Sequence, residues 1–128
     1  MEDCIFCKIA KKELPCYMIY EDDTYISFLD IFPRVKGHAL VIPKKHYRWV
    51  YDVPEYGEFW EVTKKIAVKI QKNLNCEYIS FVTVGNEVPH AHIHIIPQWS
   101  GTLEGFHFGD VVATEKIELE KLAEKLIK

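Results

Sequence analysis

The chain has 128 residues, 48% hydrophobic and 27% charged, enough for one compact domain with a buried core and too few to expect two. Its formal net charge of -3 argues against a nucleic-acid coat or a polybasic membrane anchor, and no apolar run is long enough to span a bilayer. The acidic start Met1-Glu2-Asp3-Cys4 lacks the basic flank and apolar stretch of a signal peptide, so a cytoplasmic protein is expected, with its four cysteines as thiols or metal ligands rather than disulfides.

In chain order, Asp3 is placed to cap a short helix running to about Lys12, with Cys4 and Cys7 near its start and Phe6 close to Ile9. Leu14-Pro15 ends it. The β-rich runs Cys16–Tyr20 and Tyr25–Leu29 flank Glu21-Asp22-Asp23-Thr24, the composition of a hairpin turn. A connection from Pro33 to Gly37 leads into a third strand, His38–Ile42, stopped by Pro43. Asp52, followed by Pro54 and Glu55, opens the longest helix, Pro54–Leu74, with a predicted core stripe of Phe59, Val62, Ile66 and Ile70. Tyr78–Val84 reads as a fourth strand, and the link Gly85–Pro89 to a fifth is so short that the two must be antiparallel. After Pro97 a loop bearing Trp99, Phe106 and Phe108, suited to a site lining or a subunit contact, leads to a last helix. Thr114 caps that helix, and Leu119, Leu122, Ala123, Leu126 and Ile127 form its apolar stripe. This order predicts a single α+β domain over residues 1–128, a mainly antiparallel five-stranded sheet with covering helices.

His90, His92 and His94 alternate with Ala91, Ile93 and Ile95. A period of two is the strand pattern, so the run predicts three imidazoles on one face and apolar packing on the other. Three structural histidines would each need their own hydrogen-bond partners. The chemistry that remains is metal ligation, or acid–base and nucleophilic work near neutral pH. Same-face neighbours about 7 Å apart along a strand can share an ion, whereas His90 and His94, about 13 Å apart, are hard to aim at one, which favours a division of labour. Cys4-x-x-Cys7 by itself fits zinc, redox chemistry or two small core residues, while Cys16 and Cys76 lack partners at metal spacing and read as buried thiols.

The string His90-Ala-His92-Ile-His94-Ile-Ile resembles the His-x-His-x-His-x-x signature of the histidine triad superfamily of nucleotide hydrolases and transferases. Further blocks are similar to those of its adenosine phosphoramidase branch: Phe6-Cys7-Lys8-Ile9, Glu13-Leu14-Pro15, Tyr20-Glu21-Asp22-Asp23, Phe28-Leu29-Asp30-Ile31 with Pro33, and the run from Gly37 to His46. They carry the likeness over about residues 4–97, leaving 98–128 as loop and C-terminal helix. The resemblance implies that His92 attacks the α-phosphate, that His94 sits beside the phosphate and leaving group, and that His38 supports the triad. The lesser alternative for His38 is a capping or solvent-exposed histidine. The resemblance also implies that Asp30 accepts hydrogen bonds from ribose hydroxyls, that Phe6, Ile9, Phe28 and Ile31 wall the base, and that Gly85, Asn86, Glu87 and Val88 join His92 and His94 around the nucleotide. Without it the four wall residues read as core. Apolar walls set few hydrogen-bond demands, which predicts tolerance among purines.

By the same likeness, Cys4, Cys7, His46 and His90 match the structural zinc set of some members, a closed Cys₂His₂ site. Gly85-Asn86 stand where many relatives carry Gly-Gln after a longer loop, a departure that bears on phosphate contacts and leaving-group preference and leaves the nucleophile in place. The implied activity is that of a purine nucleotide hydrolase or nucleotidyl transferase. It would act at the α-phosphate of nucleoside 5′-phosphoramidates or related esters, through a covalent nucleotidyl-histidine intermediate. The alternatives are a dinucleoside polyphosphate hydrolase of the same superfamily and a zinc-stabilised nucleotide-binding interaction protein. A homodimer is implied, with no nucleic-acid polymer or membrane as partner.

Overall fold

The runs Tyr25–Leu29 and Ala39–Pro43 have almost no polar alternation, the mark of strands covered on both faces. In the computed structural model, which describes residues 3–99 and 116–127, they are β2 and β3 of a five-stranded antiparallel sheet. The other strands are β1 (Met18–Glu21), β4 (Tyr78–Val82) and β5 (Ile93–Gln98), in the order β1-β2-β3-β5-β4. The helices are α1 (Ile5–Ala10), α2 (Tyr56–Leu74) and α3 (Lys116–Ile127), with one 3-10 turn at Val50–Asp52.

One face of the sheet presents Tyr25, Ala39, Val41, Ile93 and Ile95 to Phe59, Ile66 and Ala67 of α2, and Phe59 stacks on Tyr25 at 5.5 Å between ring centroids. The opposite face presents Ile26, Phe28, Leu40 and Ile42 to Phe6, Cys7 and Ile9 of α1. The edge strands β1 and β4 are more exposed, as their mixed composition requires. No helix among the described residues is long and apolar enough to cross a membrane.

Several boundaries differ from expectation, each for a local reason. Cys4, not Asp3, is the N-cap of α1, its Sγ accepting from the Cys7 N–H. β1 reaches Glu21 because Asp22 closes the turn, its Oδ1 accepting from the N–H groups of Thr24 and Tyr25 and its own N–H donating to the Tyr25 carbonyl at 3.0 Å. α2 begins at Tyr56, since the Asp52 carboxylate is spent on the Trp49 N–H of the 3-10 turn. Its buried residues are Phe59, Thr63, Ile66 and Ala67, with Val62 and Ile70 only half-buried; Thr63 is accommodated by donating its hydroxyl proton to the Phe59 carbonyl at 2.8 Å. β4 stops at Val82, and β5 begins at Ile93 rather than His90. In α3, Leu119, Leu122 and Leu126 are exposed, while Thr114, Phe106 and Phe108 lie outside the described residues.

Gly37 turns the chain into β3 at φ +85, a left-handed conformation in which a Cβ would also overlap the Leu74 side chain. That turn sets His38 at the head of the strand.

Candidate active site and metal centre

Only His94 of the three alternating histidines is paired within β5, lying opposite Leu40 on one side and Val82 on the other. His90 and His92 precede the strand, in a segment held by the Ala91 N–H donating to the Tyr47 carbonyl at 2.7 Å. The predicted alternation of faces survives this correction. Ala91, Ile93 and Ile95 enter the α2-side core, while the Phe6 ring of the α1 side meets His90 and His92 edge-on at 6.0 and 5.2 Å.

Backbone carbonyls assign the tautomers, because a carbonyl only accepts. His90 Nε2 lies 2.8 Å from the Pro43 carbonyl and donates to it, so Nδ1 keeps its lone pair. His92 Nδ1 lies 2.7 Å from the His90 carbonyl and donates to it, so the lone pair is on Nε2. His38 Nδ1 accepts from the Arg34 N–H at 3.1 Å, which puts its proton on Nε2, directed at His94 Nδ1 at 2.8 Å. His94 therefore carries its own proton on Nε2. Asp30 Oδ2 lies 3.6 Å from the same His38 nitrogen, while Oδ1 accepts from the Phe32 N–H.

Burial is the main cause of the electrostatics. It lowers the pKa of His38 and of His92, and brings His94 down to about 4 with further lowering from His92 and His38. All three are neutral at pH 7, and an imidazole nucleophile has to be neutral.

Four of the other expected nucleotide residues fall on the α1 side of the sheet. Phe6, Ile9 and Phe28 are buried in one cluster, with Val88 packed against it, and Phe6 meets Phe28 edge-on. Ile31 is 65% exposed, just past half-buried Asp30. Gly85 approaches His92, where a Cβ would lie 3.8 Å from His92 Cε1; Asn86 and Glu87 are exposed beside it.

Cys4, Cys7, His46 and His90 form a second cluster, with ligand atoms all within 4.8 Å of one another. Cys4 Sγ and Cys7 Sγ lie 3.3 and 3.4 Å from His90 Nδ1, and Cys7 Sγ lies 3.2 Å from His46 Nδ1. A tetrahedral ion bound at ~2.3 Å by sulfur and ~2.0 Å by nitrogen needs ligand–ligand edges of roughly 3.5 Å, so the donor set fits a metal. The His90 tautomer offers the required lone pair, and the Pro43 carbonyl orients the ring from behind. Burial and the neighbouring Cys4 push the Cys7 thiol up to about 11, which a bound cation would reverse. Cys16 and Cys76 stand outside this cluster.

Sequence reading missed the carbonyls of Pro43 and His90 and the Arg34 N–H, which assign the tautomers. Every residue carries these groups, so no side-chain pattern announces them. It also missed Arg48, whose guanidinium donates to the Gly85 carbonyl at 3.0 Å.

A HIT-like protein of Methanocaldococcus jannaschii is 39% identical over 130 residues, covering 96% of this chain and 98% of the relative. Adenosine 5′-monophosphoramidase HNT1 of Saccharomyces cerevisiae is 37% identical over 100 residues, covering 74% of this chain and 62% of that enzyme. The crystal structure of SMU.412c from Streptococcus mutans superposes with a TM-score of 0.86 at 32% identity, covering 99% of this chain and 85% of the other. The HIT domain pattern matches residues 11–101, and with relatives this similar along most of its length the chain belongs to the HIT domain family.

Proposed function

We propose that this protein is a purine nucleotide hydrolase that attacks the α-phosphate of nucleoside 5′-phosphoramidates or related 5′-phosphate derivatives with His92 Nε2. The observation that carries the reading is the 2.7 Å hydrogen bond from His92 Nδ1–H to the His90 carbonyl, which orients the ring and leaves the other nitrogen unprotonated. In the first step the Nε2 lone pair forms a bond to phosphorus and the leaving group departs with the electrons of the broken bond. Water then attacks the nucleotidyl-histidine, His92 recovers its lone pair, and the nucleoside monophosphate is released. The His94 Nε2–H, kept on that nitrogen by His38, stabilises charge developing on the phosphoryl group by hydrogen bonding.

Phe6, Ile9, Phe28 and Ile31 are the proposed walls for the base, Asp30 the acceptor for the ribose hydroxyls, and the Gly85–Val88 segment the approach to the phosphate. The relative named as an adenosine 5′-monophosphoramidase supports the choice of substrate class. Dinucleoside polyphosphate hydrolysis is the second reading, using the same attack with a different leaving group.

Cys4, Cys7, His46 and His90 are proposed to hold one structural Zn²⁺, whose bound form ties α1 to the histidine segment and takes no part in bond breaking. A single domain over residues 1–128, a cytoplasmic setting and a homodimer complete the proposal.

His92→Ala is expected to lower turnover of adenosine 5′-phosphoramidate by at least about 10³-fold, with adenosine monophosphate binding retained. Undiminished turnover would remove His92 as the nucleophile. Binding without turnover in the unsubstituted chain, across phosphoramidate, dinucleoside polyphosphate and adenylyl sulfate, would favour the interaction-protein reading instead.

A further inference from the structure

The chain has two arginines among its sixteen basic residues, and both border the histidine site. Arg34 gives its backbone N–H to His38 and its side chain is exposed. Arg48 is different: its guanidinium carbon lies 3.6 Å over the Trp49 ring, Nη1 donates to the Gly85 carbonyl at 3.0 Å, and the residue is half-buried. The Trp49 N–H is in turn fixed by the Asp52 carboxylate. Gly85 joins this cation to the nucleophile, because a Cβ at that position would lie 3.7 Å from Trp49 and 3.8 Å from His92 Cε1, the ring carbon bonded to Nε2.

Among the described residues no carboxylate pairs with Arg48. Its one hydrogen bond uses one of five N–H donors, so the stacked fork keeps donors for an anion that matches its plane.

His94, whose ring meets that of the nucleophile at 5.0 Å, is poor at protonating a leaving group. Its Nδ1 is occupied by the His38 proton, so loss of Nε2–H would leave an imidazolate, which the nearby Asp30 carboxylate would oppose. An amine leaving group needs a proton; an oxyanion does not.

We propose that Arg48 is the receptor for the leaving group and that it selects substrates in which the nucleoside 5′-phosphoryl is joined through oxygen to a second oxyanion, a sulfate or a phosphate, over those joined to an amine. The assignment rests on the nucleotidyl-transfer reading above. His92 Nε2 bonds to phosphorus, and the bridging P–O bond breaks. Its electron pair leaves on the oxyanion, which departs unprotonated into the Arg48 donors. Water completes hydrolysis by adding hydroxide to phosphorus, releasing a proton to solvent and the electron pair of the P–N bond to His92.

The experiment compares adenosine 5′-phosphosulfate, diadenosine polyphosphate and adenosine 5′-phosphoramidate in the full chain and in Arg48→Gln and Arg48→Lys. Arg48→Gln is expected to lower the ratio of kcat/KM for each oxyanion substrate over the phosphoramidate by about 10- to 100-fold, the range for losing hydrogen bonds to a charged group. Arg48→Lys, which keeps the charge without the planar fork, should fall between the two. A ratio unchanged within about threefold in Arg48→Gln overturns the assignment while leaving His92-dependent turnover standing. Turnover of all three substrates that survives His92→Ala sinks the underlying reading instead. Sulfate binding to the adenosine monophosphate complex, followed by calorimetry, gives a readout free of turnover. It should weaken by a similar factor in Arg48→Gln, and equal affinity in the two chains overturns the proposal.

Discussion

His90, His92 and His94 differ in which ring nitrogen the protein has already engaged. The Pro43 carbonyl takes a proton from His90, the His90 carbonyl takes one from His92, and His38 gives one to His94. One imidazole is left facing two sulfurs with a lone pair, the next has a free lone pair on Nε2, and the third has an N–H to donate. Holding His94 neutral in the folded chain has a pH signature. Its folded pKa is about 4, lowered by burial and then by His92 and His38, with Arg34 adding to the effect and Asp30 opposing it. An unfolded histidine titrates near ~6.5, so between those values the unfolded chain holds more protons. Stability is complete above about pH 6.5 and declines as pH falls towards 4. The urea midpoint is expected to drop across that window and to drop less steeply in His94→Asn, with His38 and His92, also lowered mainly by burial, retaining part of the slope. Equal slopes in the two proteins would remove His94 as a source.

At the scale of elements, α1 is the part that most needs an external tie. Six residues are too few for an isolated helix to persist in water, and its cap is a cysteine thiol with a weak hydrogen bond at 3.4 Å. Phe6, Cys7 and Ile9 dock it on the sheet, and a metal bridging Cys4 and Cys7 to His46 and His90 would fasten it to the segment that carries His92. Purified protein is expected to contain about one zinc per chain, and Cys4→Ser to lose it with about 3–4 kcal/mol of stability, the mass-action effect of a metal present at several hundred to a thousand times its Kd. Elemental analysis with urea unfolding checks both parts; protein purified without chelator and free of zinc would return Cys4 and Cys7 to the thiol reading. The cysteine pair was visible in the sequence, but only docking of α1 brings its sulfurs within 3.4 Å of His90, 86 and 83 positions away.

For the whole molecule, β4 is an edge of the sheet that no strand among the described residues covers. β4 leaves Tyr78 and Phe81 exposed, Val84 follows them, and Trp60 from α2 meets Phe81 edge-on at 5.7 Å. An open edge strand flanked by aromatics is a surface that a second copy can cover by continuing the ladder, which agrees with the proposed homodimer. Light scattering is expected to give twice the 15.0 kDa chain mass, and Phe81→Glu the single mass; a monomer at micromolar concentration in the unsubstituted chain would count against the pairing.

Much of this architecture was legible from local chemistry. Tyr25–Leu29 is an apolar run of β-forming residues, α2 ends at Leu74 before a left-handed Asn75 cap, and the alternation around His92 sorts imidazoles from aliphatics. Boundaries shifted where a side chain had a competing partner: the Asp52 carboxylate went to Trp49, and Thr63 displaced Val62 from the core once its hydroxyl found the Phe59 carbonyl. The sequence by itself determined the fold class and the residues able to do chemistry, because residue type and period are properties of the chain. Tertiary structure alone decided the state of each histidine, and it brought Arg48 through Trp49 and Gly85 to the edge of His92. Tautomer, burial and field depend on backbone groups and charges from distant segments, which meet only after the sheet has closed.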